Sequence, residues 1–248
     1  MTFQAAANAV TKLMGAGIEP RCVELLDTTC ITAVNASLPP TLPPFPLKPH
    51  LFFKLSGSLT TISPQTKSLV AVLRASGGKD LRLARTDAEA QQIWDIRKGL
   101  VYSLLALFPG SEVIGTDVCV PVSRLAGLIE QYKVDQERIN GEIEIPPYGE
   151  KKQLASLVVG HVGDGNFHSI MYSSHPIPTQ GFNTNDSAFE KGNEELKKKA
   201  KELEHTLVMN ALALDGTASG EHGVGIHKIV SSPHPSSLTV GVYGSRVR

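Results

Sequence analysis

Two short stretches of this chain hold the residue types best suited to metal binding and proton transfer. The first contains His161 and His168, separated by a glycine-rich turn sequence. The second lies between Ser219 and Gly225 and contains Glu221 beside His222. Glycines in both stretches let the backbone come close to a ligand. We interpret the two stretches as halves of one site.

The first stretch has the pattern of a β-hairpin. Leu154–Val162 is apolar and β-branched, Phe167–Tyr172 can return, and Asp164-Gly165 is a favoured two-residue turn. That turn would place His161 directly opposite His168, with Cβ atoms roughly 4.5–5.5 Å apart. Two such imidazoles can bind one divalent metal ion if the glutamate or the histidine of the second stretch adds a third ligand. The alternative is that both are ordinary hairpin residues.

These motifs resemble the C-terminal domain of FAD-linked oxidases, and within that family the cytochrome-type D-lactate dehydrogenases of mitochondria. The resemblance extends from about Phe3 to Lys228. It is carried by the following runs in the same order as in the family: Cys22-Val23-Glu24-Leu25-Leu26-Asp27, Leu51-Phe52-Phe53-Lys54, Trp94-x-x-Arg97-Lys98, Thr116-Asp117-Val118-Cys119-Val120-Pro121, His161-x-Gly163-Asp164-Gly165-Asn166-x-His168 and Ser219-Gly220-Glu221-His222-Gly223-x-Gly225.

The resemblance implies a role for each site residue. His161, His168 and Glu221 would be metal ligands, zinc being the expected ion, and His222 would remove the proton of a substrate hydroxyl while hydride passes to FAD. Arg97 would bind the substrate carboxylate through paired hydrogen bonds. The alternative for Arg97 is a surface ion pair with the nearby Asp95 or Glu89. Asn166 and Asp164 are expected to serve the turn.

The resemblance implies a flavoprotein oxidoreductase that converts D-lactate to pyruvate and passes electrons to cytochrome c. At positions where relatives that oxidise D-2-hydroxyglutarate carry polar groups, this chain has Val101, Gly115 and Ile170, which favours a small substrate. The alternatives are a D-2-hydroxyglutarate or glycolate dehydrogenase of the same family, or a metal-binding fragment without chemistry. No Gly-rich phosphate loop of the dinucleotide type follows a predicted strand. We therefore interpret the chain as the substrate half of a larger enzyme, inactive alone.

Composition excludes several other classes of protein. The 248 residues are 41% hydrophobic and 19% charged, which suits a globular protein. The formal net charge is zero, so the chain has no net positive charge to attract nucleic acid. No apolar run approaches a membrane span. Three cysteines fit neither a zinc knuckle nor a disulfide framework. A mitochondrial location is implied by the resemblance alone, because the chain shows no targeting signal.

The remaining pattern alternates helices and strands with hairpins, which predicts an α+β fold with a mostly antiparallel sheet covered by helices, the ferredoxin-like cap of these oxidases. Helices are predicted over Thr2–Met14, from an Asp27 cap to Ala36, and over Pro64–Ser76, Ala88–Phe108, Ser123–Glu137 and Ser187–Leu214. Strands besides the hairpin are predicted at Arg21–Leu25, Leu51–Gly57 in a central position, Leu81–Arg85 and Val113–Val120.

The domain prediction assigns residues 1–228 to the FAD-linked oxidase C-terminal domain. Residues 229–248 are rich in Ser, Pro and Val and lack the helix and Asn-Pro-Gly segment of that family. We favour a gene-model artefact such as intron read-through as their origin, and the alternative is a genuine divergent tail.

Overall fold

A computed structural model describes residues 2–40, 42–107, 113–143, 153–174 and 194–223. Its helices are α1 (Phe3–Gly15), α2 (Thr28–Ser37), α3 (Leu59–Ala75), α4 (Asp87–Lys98), α5 (Leu100–Leu107), α6 (Val122–Glu142) and α7 (Glu194–Ala213). Its strands are β1 (Cys22–Leu26), β2 (His50–Lys54), β3 (Ile114–Gly115), β4 (Val118–Cys119), β5 (Gln153–His161) and β6 (Asn166–Ser174). The predicted tail after Lys228 and the predicted Ser187 cap lie outside the described residues.

The strands form one sheet in the order β2-β1-β5-β6-β3, with β4 paired to β6 beyond β3. Every described strand pairing is antiparallel. The hairpin β5–β6 has the longest strands and lies at the centre of the sheet. Strand β1 pairs with β5 on one side, and the short β3 and β4 pair with β6 on the other. This arrangement confirms the predicted α+β class with an antiparallel sheet covered by helices.

Helices cover both faces of the sheet, because successive apolar side chains of the central strands point to opposite faces. Helices α1, α6 and α7 pack on the face that presents Leu25, Val158 and Met171. Helices α2, α4 and α5 pack on the opposite face, which presents Leu26 and Val159. In the described part of the chain, no helix is both long and apolar enough to span a membrane.

Several helices begin where a side-chain oxygen accepts a main-chain N–H, as capping requires. Thr2 caps α1 and Thr86 caps α4, each at 3.2 Å. Asp27 caps α2 at 2.8 Å from the Cys30 nitrogen, as predicted, and its other oxygen accepts the Val158 N–H at 2.8 Å. The cap therefore also fastens α2 to β5. Burial raises the pKa of Asp27.

Two strand predictions are wrong for identifiable reasons. Leu81–Arg85 alternates in sequence but forms no strand, because its side chains are exposed and no described strand pairs with it. The predicted central strand at residues 51–57 is β2, which in the described sheet pairs with β1 alone and so lies at an edge. Its continuous apolar character reflects cover by helices on both faces, since Phe52 packs with α2 and Phe53 packs near α3.

The other departures are interruptions of a predicted element. The helix predicted from Ala88 to Phe108 is interrupted at Gly99, a residue of weak helix propensity, while Phe108 lies outside the described residues. The strand predicted at residues 113–120 is divided into β3 and β4 by Thr116 and Asp117. Both of these polar residues are buried and serve the candidate site.

Candidate metal centre and substrate site

The two histidines of the first stretch lie on one sheet face, although the predicted turn is wrong. The turn occupies residues 162–165 rather than two residues, with the Asp164 N–H bonded to the His161 carbonyl at 2.9 Å. His168 therefore pairs with Val159, and His161 is its diagonal neighbour. A two-residue shift of register preserves the face, because side chains alternate with period 2. The ring centroids lie 5.7 Å apart.

Both imidazoles are oriented by an acceptor at Nδ1. The Nδ1 of His161 lies 2.7 Å from Oε1 of Glu24, its neighbour on β1. The Nδ1 of His168 lies 3.0 Å from the carbonyl oxygen of Thr116. Because these partners accept, each Nδ1 carries a proton and each Nε2 is available for a metal ion, as outer-sphere partners of metal-bound histidines arrange.

The Thr116 carbonyl can bond to His168 because it makes no ladder hydrogen bond to β6, where the strand is interrupted. Ile114 pairs with Met171 and Val118 pairs with Phe167, so the register against β6 is unchanged across the break. At Thr116 the N–H still bonds to the Ser169 carbonyl at 2.9 Å. The return bond is different, because the Ser169 N–H donates to the Thr116 hydroxyl at 2.8 Å. The Thr116 carbonyl is left for the imidazole.

Glu221 completes the cluster. Its Oε1 lies 3.0 Å from Nε2 of His168 and 3.5 Å from Nε2 of His161. One ligand atom from each of these three residues falls within 4.8 Å of the others. Two converging imidazole nitrogens and a carboxylate match the donor set that zinc prefers, so the residues present fit a divalent ion.

Asp117 holds the loop that carries Glu221. Its carboxylate accepts the N–H of His222 at 2.9 Å, the hydroxyl of Ser219 at 2.7 Å and the side-chain amide of Asn166 at 2.8 Å. Burial alone would raise the pKa of Asp117, but these bonds and that of the Glu221 N–H outweigh it and hold the pKa far below its ordinary value. The described side-chain bonds of Asn166 go to Asp117 and to the Val118 carbonyl, so it contributes to the packing of this loop.

Close packing explains the glycine beside Glu221. A Cβ atom on Gly220 would lie 1.8 Å from Nδ2 of Asn166, which the Asp117 bond fixes in place. A residue with any side chain would push the loop away from the strand. The position of the Glu221 carboxylate therefore depends on backbone contact at Gly220.

Arg97 lies beside the cluster rather than on the surface. Its Nε and Nη2 donate to Oε2 of Glu24 at 3.0 and 2.8 Å, and the pair is almost fully buried. The alternative ion pair with Asp95 or Glu89 is wrong, since Arg97 bonds to Glu24. A continuous polar chain thus runs from Arg97 through Glu24 and His161 to Glu221.

The two histidines have opposite pKa shifts. The hydrogen bond that His161 donates to the Glu24 carboxylate raises the pKa of His161 and outweighs burial, which acts in the other direction. Burial lowers the pKa of His168, although the Thr116 carbonyl and nearby carboxylates oppose it. His168 thus loses its second proton more readily than His161.

His222 stands at the mouth of the cluster. Its side chain is 68% exposed, its Nε2 lies 3.4 Å from Oε1 of Glu221, and its ring centroid lies 5.6 Å from that of His168. It is the most accessible of the three imidazoles. The arrangement separates two oriented, partly buried histidines from one that faces outward.

The three residues expected to line a small substrate site lie in different environments. Gly115 of β3 pairs with Ile170 of β6, and Ile170 follows His168 by two residues, so they share the site's face. Ile170 packs with the apolar cluster under α4 and α5, while Val101 on α5 is 45% exposed. Two of the three positions therefore adjoin the histidine pair directly along the sheet.

Glu24 and Asp117 are site residues that reasoning from the sequence missed, although both lie within the quoted motifs. The available signal was a carboxylate inside an otherwise apolar stretch. Glu24 interrupts the run from Val23 to Leu26, and Asp117 stands before the apolar Val118–Val120. Both are buried, at 3% exposure each.

Comparison with known proteins shows which proteins this chain resembles. The model of the family "FAD linked oxidases, C-terminal domain" matches residues 1–233. The mitochondrial D-lactate dehydrogenase [cytochrome] of Arabidopsis thaliana is 32% identical over 92% of this chain and 35% of that protein. The probable mitochondrial D-lactate dehydrogenase of Danio rerio is 31% identical over 92% of this chain and 39% of that protein. The chain thus spans little more than a third of these relatives.

More distant relatives share the same region. A glycolate oxidase subunit of Bacillus subtilis is 24% identical over 90% of this chain and 41% of that protein. A solved structure of alkyldihydroxyacetonephosphate synthase superposes with a TM-score of 0.56 at 12% identity, covering 88% of this chain and 39% of that one, which shows a shared fold. With the family model covering nearly the whole chain, this protein belongs to the FAD linked oxidases and represents their C-terminal domain.

Proposed function

We propose that this chain is the substrate-binding half of a flavin-dependent dehydrogenase that oxidises D-lactate to pyruvate. The observation that carries the proposal is the convergence of the His161 and His168 Nε2 atoms on the Glu221 carboxylate. His222 and Arg97 lie beside this cluster with functions that a 2-hydroxy acid requires. The mitochondrial D-lactate dehydrogenases among its relatives support the same substrate class.

His161, His168 and Glu221 would hold the metal ion, and zinc is the ion their donor atoms favour. A divalent ion there supplies Lewis acidity toward the 2-hydroxyl of the substrate. Because the Nδ1 atoms are already bonded, the two imidazoles present Nε2 without rearrangement. The chain's own contribution is therefore a ligand set whose orientation is fixed in advance.

His222 would take the hydroxyl proton. Its imidazole is exposed, and among the described contacts its side chain faces the Glu221 carboxylate. Histidine is the side chain that most often removes a proton in general base catalysis. The flavin of this family supplies the acceptor for the hydride that leaves C2. Loss of that hydride and of the hydroxyl proton leaves the keto acid, so atoms and charge balance.

Arg97 would bind the substrate carboxylate with the part of its guanidinium that Glu24 leaves free. Glu24 takes the Nε and Nη2 edge. A guanidinium has five N–H donors, so three remain at its far end, and these can bind a carboxylate in a paired fashion. Glu24 would thus aim Arg97 rather than neutralise its binding capacity.

Glycolate is a second candidate substrate, because a glycolate oxidase subunit is among the relatives. The small or apolar Gly115 and Ile170 beside the histidine pair favour either short acid over D-2-hydroxyglutarate. Comparing kcat/KM for the three acids in the complete flavin enzyme decides between them. Cytochrome c as the electron acceptor and a mitochondrial location are proposed from the relatives.

The competing proposal is a metal-binding module without chemistry. A test compares the zinc content of the chain after His161→Ala, His168→Ala and Glu221→Ala, with His205→Ala on the exposed face of α7 as the control. Each ligand variant should lose most of its metal, because two remaining ligands hold zinc poorly. The control should keep it.

His222→Asn separates the two proposals. We expect it to retain metal while turnover of the complete flavin enzyme falls by roughly 10²–10⁴. Full turnover in this variant would favour the module without chemistry. Loss of metal from His222→Asn together with retention in Glu221→Ala would exchange the roles of these two residues. Metal binding is expected in the chain alone, whereas turnover requires the flavin.

A further inference from the structure

Glu24 is a buried carboxylate in the middle of an apolar strand. It is 3% exposed; its neighbours Val23 and Leu25 belong to the apolar cluster on one face of the sheet, and Leu26 belongs to the cluster on the other face. A buried charge is costly unless it is paired and fully hydrogen-bonded. Glu24 meets that condition, because one oxygen accepts from Arg97 twice and the other faces Nδ1 of His161.

We propose that Glu24 is a positioning residue that fixes the tautomer of His161. This role goes beyond the proposed function, and it rests on that function only in treating Nε2 of His161 as the metal-binding atom. With Arg97 donating to Oε2, the carboxylate presents Oε1 as an acceptor. The proton of His161 is therefore held at Nδ1, and the lone pair of Nε2 points to Glu221.

His168 supplies an internal comparison within the same site. Its Nδ1 is held by the main-chain carbonyl of Thr116, which can only accept. The two imidazoles thus adopt the same tautomer through different partners. One partner is a side chain that substitution can change, and the other is backbone that substitution leaves in place.

Arg97 determines which atom of residue 24 faces His161. An arginine side chain has donors and no acceptor, so whichever atom of residue 24 faces it must accept. In Glu24→Gln the amide oxygen is therefore drawn to Arg97, and the amide NH₂ is turned toward Nδ1 of His161. The imidazole then has to accept at Nδ1 and carry its proton at Nε2, where a metal ion would bind.

The first experiment measures tautomers without metal. Nitrogen-15 NMR of the metal-free chain at about pH 9, above the ordinary histidine range, assigns the protonated nitrogen of each neutral ring. In wild type both His161 and His168 should carry the proton at Nδ1. In Glu24→Gln the proton of His161 should move to Nε2, while His168 remains unchanged as the reference in the same spectrum.

The second experiment measures zinc affinity by competition with a chromophoric chelator. Glu24→Gln should bind Zn²⁺ roughly 10–100-fold more weakly than wild type, the range typical for loss of an outer partner. In Glu24→Gln/Arg97→Met nothing constrains the amide, so its oxygen can face His161. Both the Nδ1 tautomer and most of the zinc affinity should return. A merely structural role for Glu24 predicts a double variant no better than the single one.

The outcomes separate this inference from the proposed function. An unchanged His161 tautomer in Glu24→Gln, with zinc affinity equal to wild type, overturns the positioning role and leaves the metal site standing. If the wild-type chain binds no zinc, but the proton of His161 moves to Nε2 in Glu24→Gln as expected, the positioning role is upheld and the metal site is contradicted. A double variant that stays as weak as Glu24→Gln also overturns the positioning role.

Discussion

Arg97 shows how one side chain can be anchored and still keep N–H donors for a ligand. The bonds to Glu24 use one edge of the guanidinium and fix its plane. The ammonium of lysine has three N–H groups at one point, so it cannot donate two bonds to Oε2 of Glu24 and also present a pair of donors to a second carboxylate. The exchange of Arg97 for lysine is therefore not conservative at this position.

We expect Arg97→Lys to lower kcat/KM for D-lactate by about 10²-fold in the complete flavin enzyme, or about 2.7 kcal/mol of transition-state binding. The physical reason is loss of the paired bonds to the substrate carboxylate. Steady-state kinetics with the zinc content measured in parallel provides the test. Kinetics equal to wild type would leave Arg97 as a structural partner of Glu24.

Asp117 predicts a pH dependence whose sign follows from its depressed pKa. Asp117→Asn should unfold more easily at pH 7 by about 1–3 kcal/mol, because one amide oxygen cannot replace two carboxylate oxygens. A depressed folded pKa means that this advantage of wild type is complete above about pH 4 and is lost as the pH falls toward the folded value.

Urea unfolding of both chains at pH 7 and at about pH 3 measures this difference, since the other carboxylates cancel in the comparison. The control is Asp80→Asn in an exposed turn, which should leave stability unchanged at both pH values. A gap between Asp117→Asn and wild type that widens on acidification would contradict the account.

At the scale of elements, the β5–β6 hairpin sets the position of both histidines. A Cβ atom on Gly160 would lie 2.6 Å from the Asn166 carbonyl oxygen and 2.8 Å from Cα of Phe167. These neighbours are strand backbone and cannot move aside alone. Gly160 therefore allows the two strands to approach closely next to His161.

Gly160→Ala should destabilise the chain by about 1–3 kcal/mol, as overpacking does, and should weaken zinc binding because it displaces His161. Gly115→Ala is the matched control, since a Cβ there meets nothing within 4 Å, and its stability should change by less than about 0.5 kcal/mol. Chemical unfolding and zinc titration of both variants give the result. Equal stability of the two variants would show that the strands separate without cost.

The sequence predicts which side chains of this hairpin share a face, but it does not predict the length of the turn. Alternation in β5 and β6 places His161 and His168 on one side in any register that differs by two residues, so the pair was predictable. The longer turn was not, because Gly165 has a φ of +76° and lies against the carbonyl of Val120, the residue after β4, which is distant in sequence. The bond from Arg97 to Glu24 joins residues far apart in sequence in the same way.

At the scale of the whole molecule, one sheet face serves two purposes. Toward one end it is apolar and covered by α2, α4 and α5, whereas toward the other it presents Glu24, His161 and His168. Ile170 lies at the boundary, two residues from His168 and within the apolar cluster. A substrate bound at the histidines would therefore have a polar group on one side and an apolar wall on the other.

This boundary predicts the order of substrates. D-Lactate has one carboxylate and a methyl group that suits the apolar wall, whereas D-2-hydroxyglutarate would have to bury a second carboxylate there without a partner. We expect kcat/KM in the complete flavin enzyme to be higher for D-lactate. Higher kcat/KM for D-2-hydroxyglutarate would mean that the wall at Gly115 and Ile170 does not face the substrate.

The interrupted strand at Thr116 has a consequence for how this site can change by inheritance. His168 depends on a main-chain carbonyl, which every amino acid at position 116 would still provide, although the hydroxyl that spares it comes from threonine. His161 depends on a carboxylate that a single base change can remove. A single substitution at position 24 should therefore change the orientation of His161 directly, whereas no substitution removes the carbonyl that orients His168.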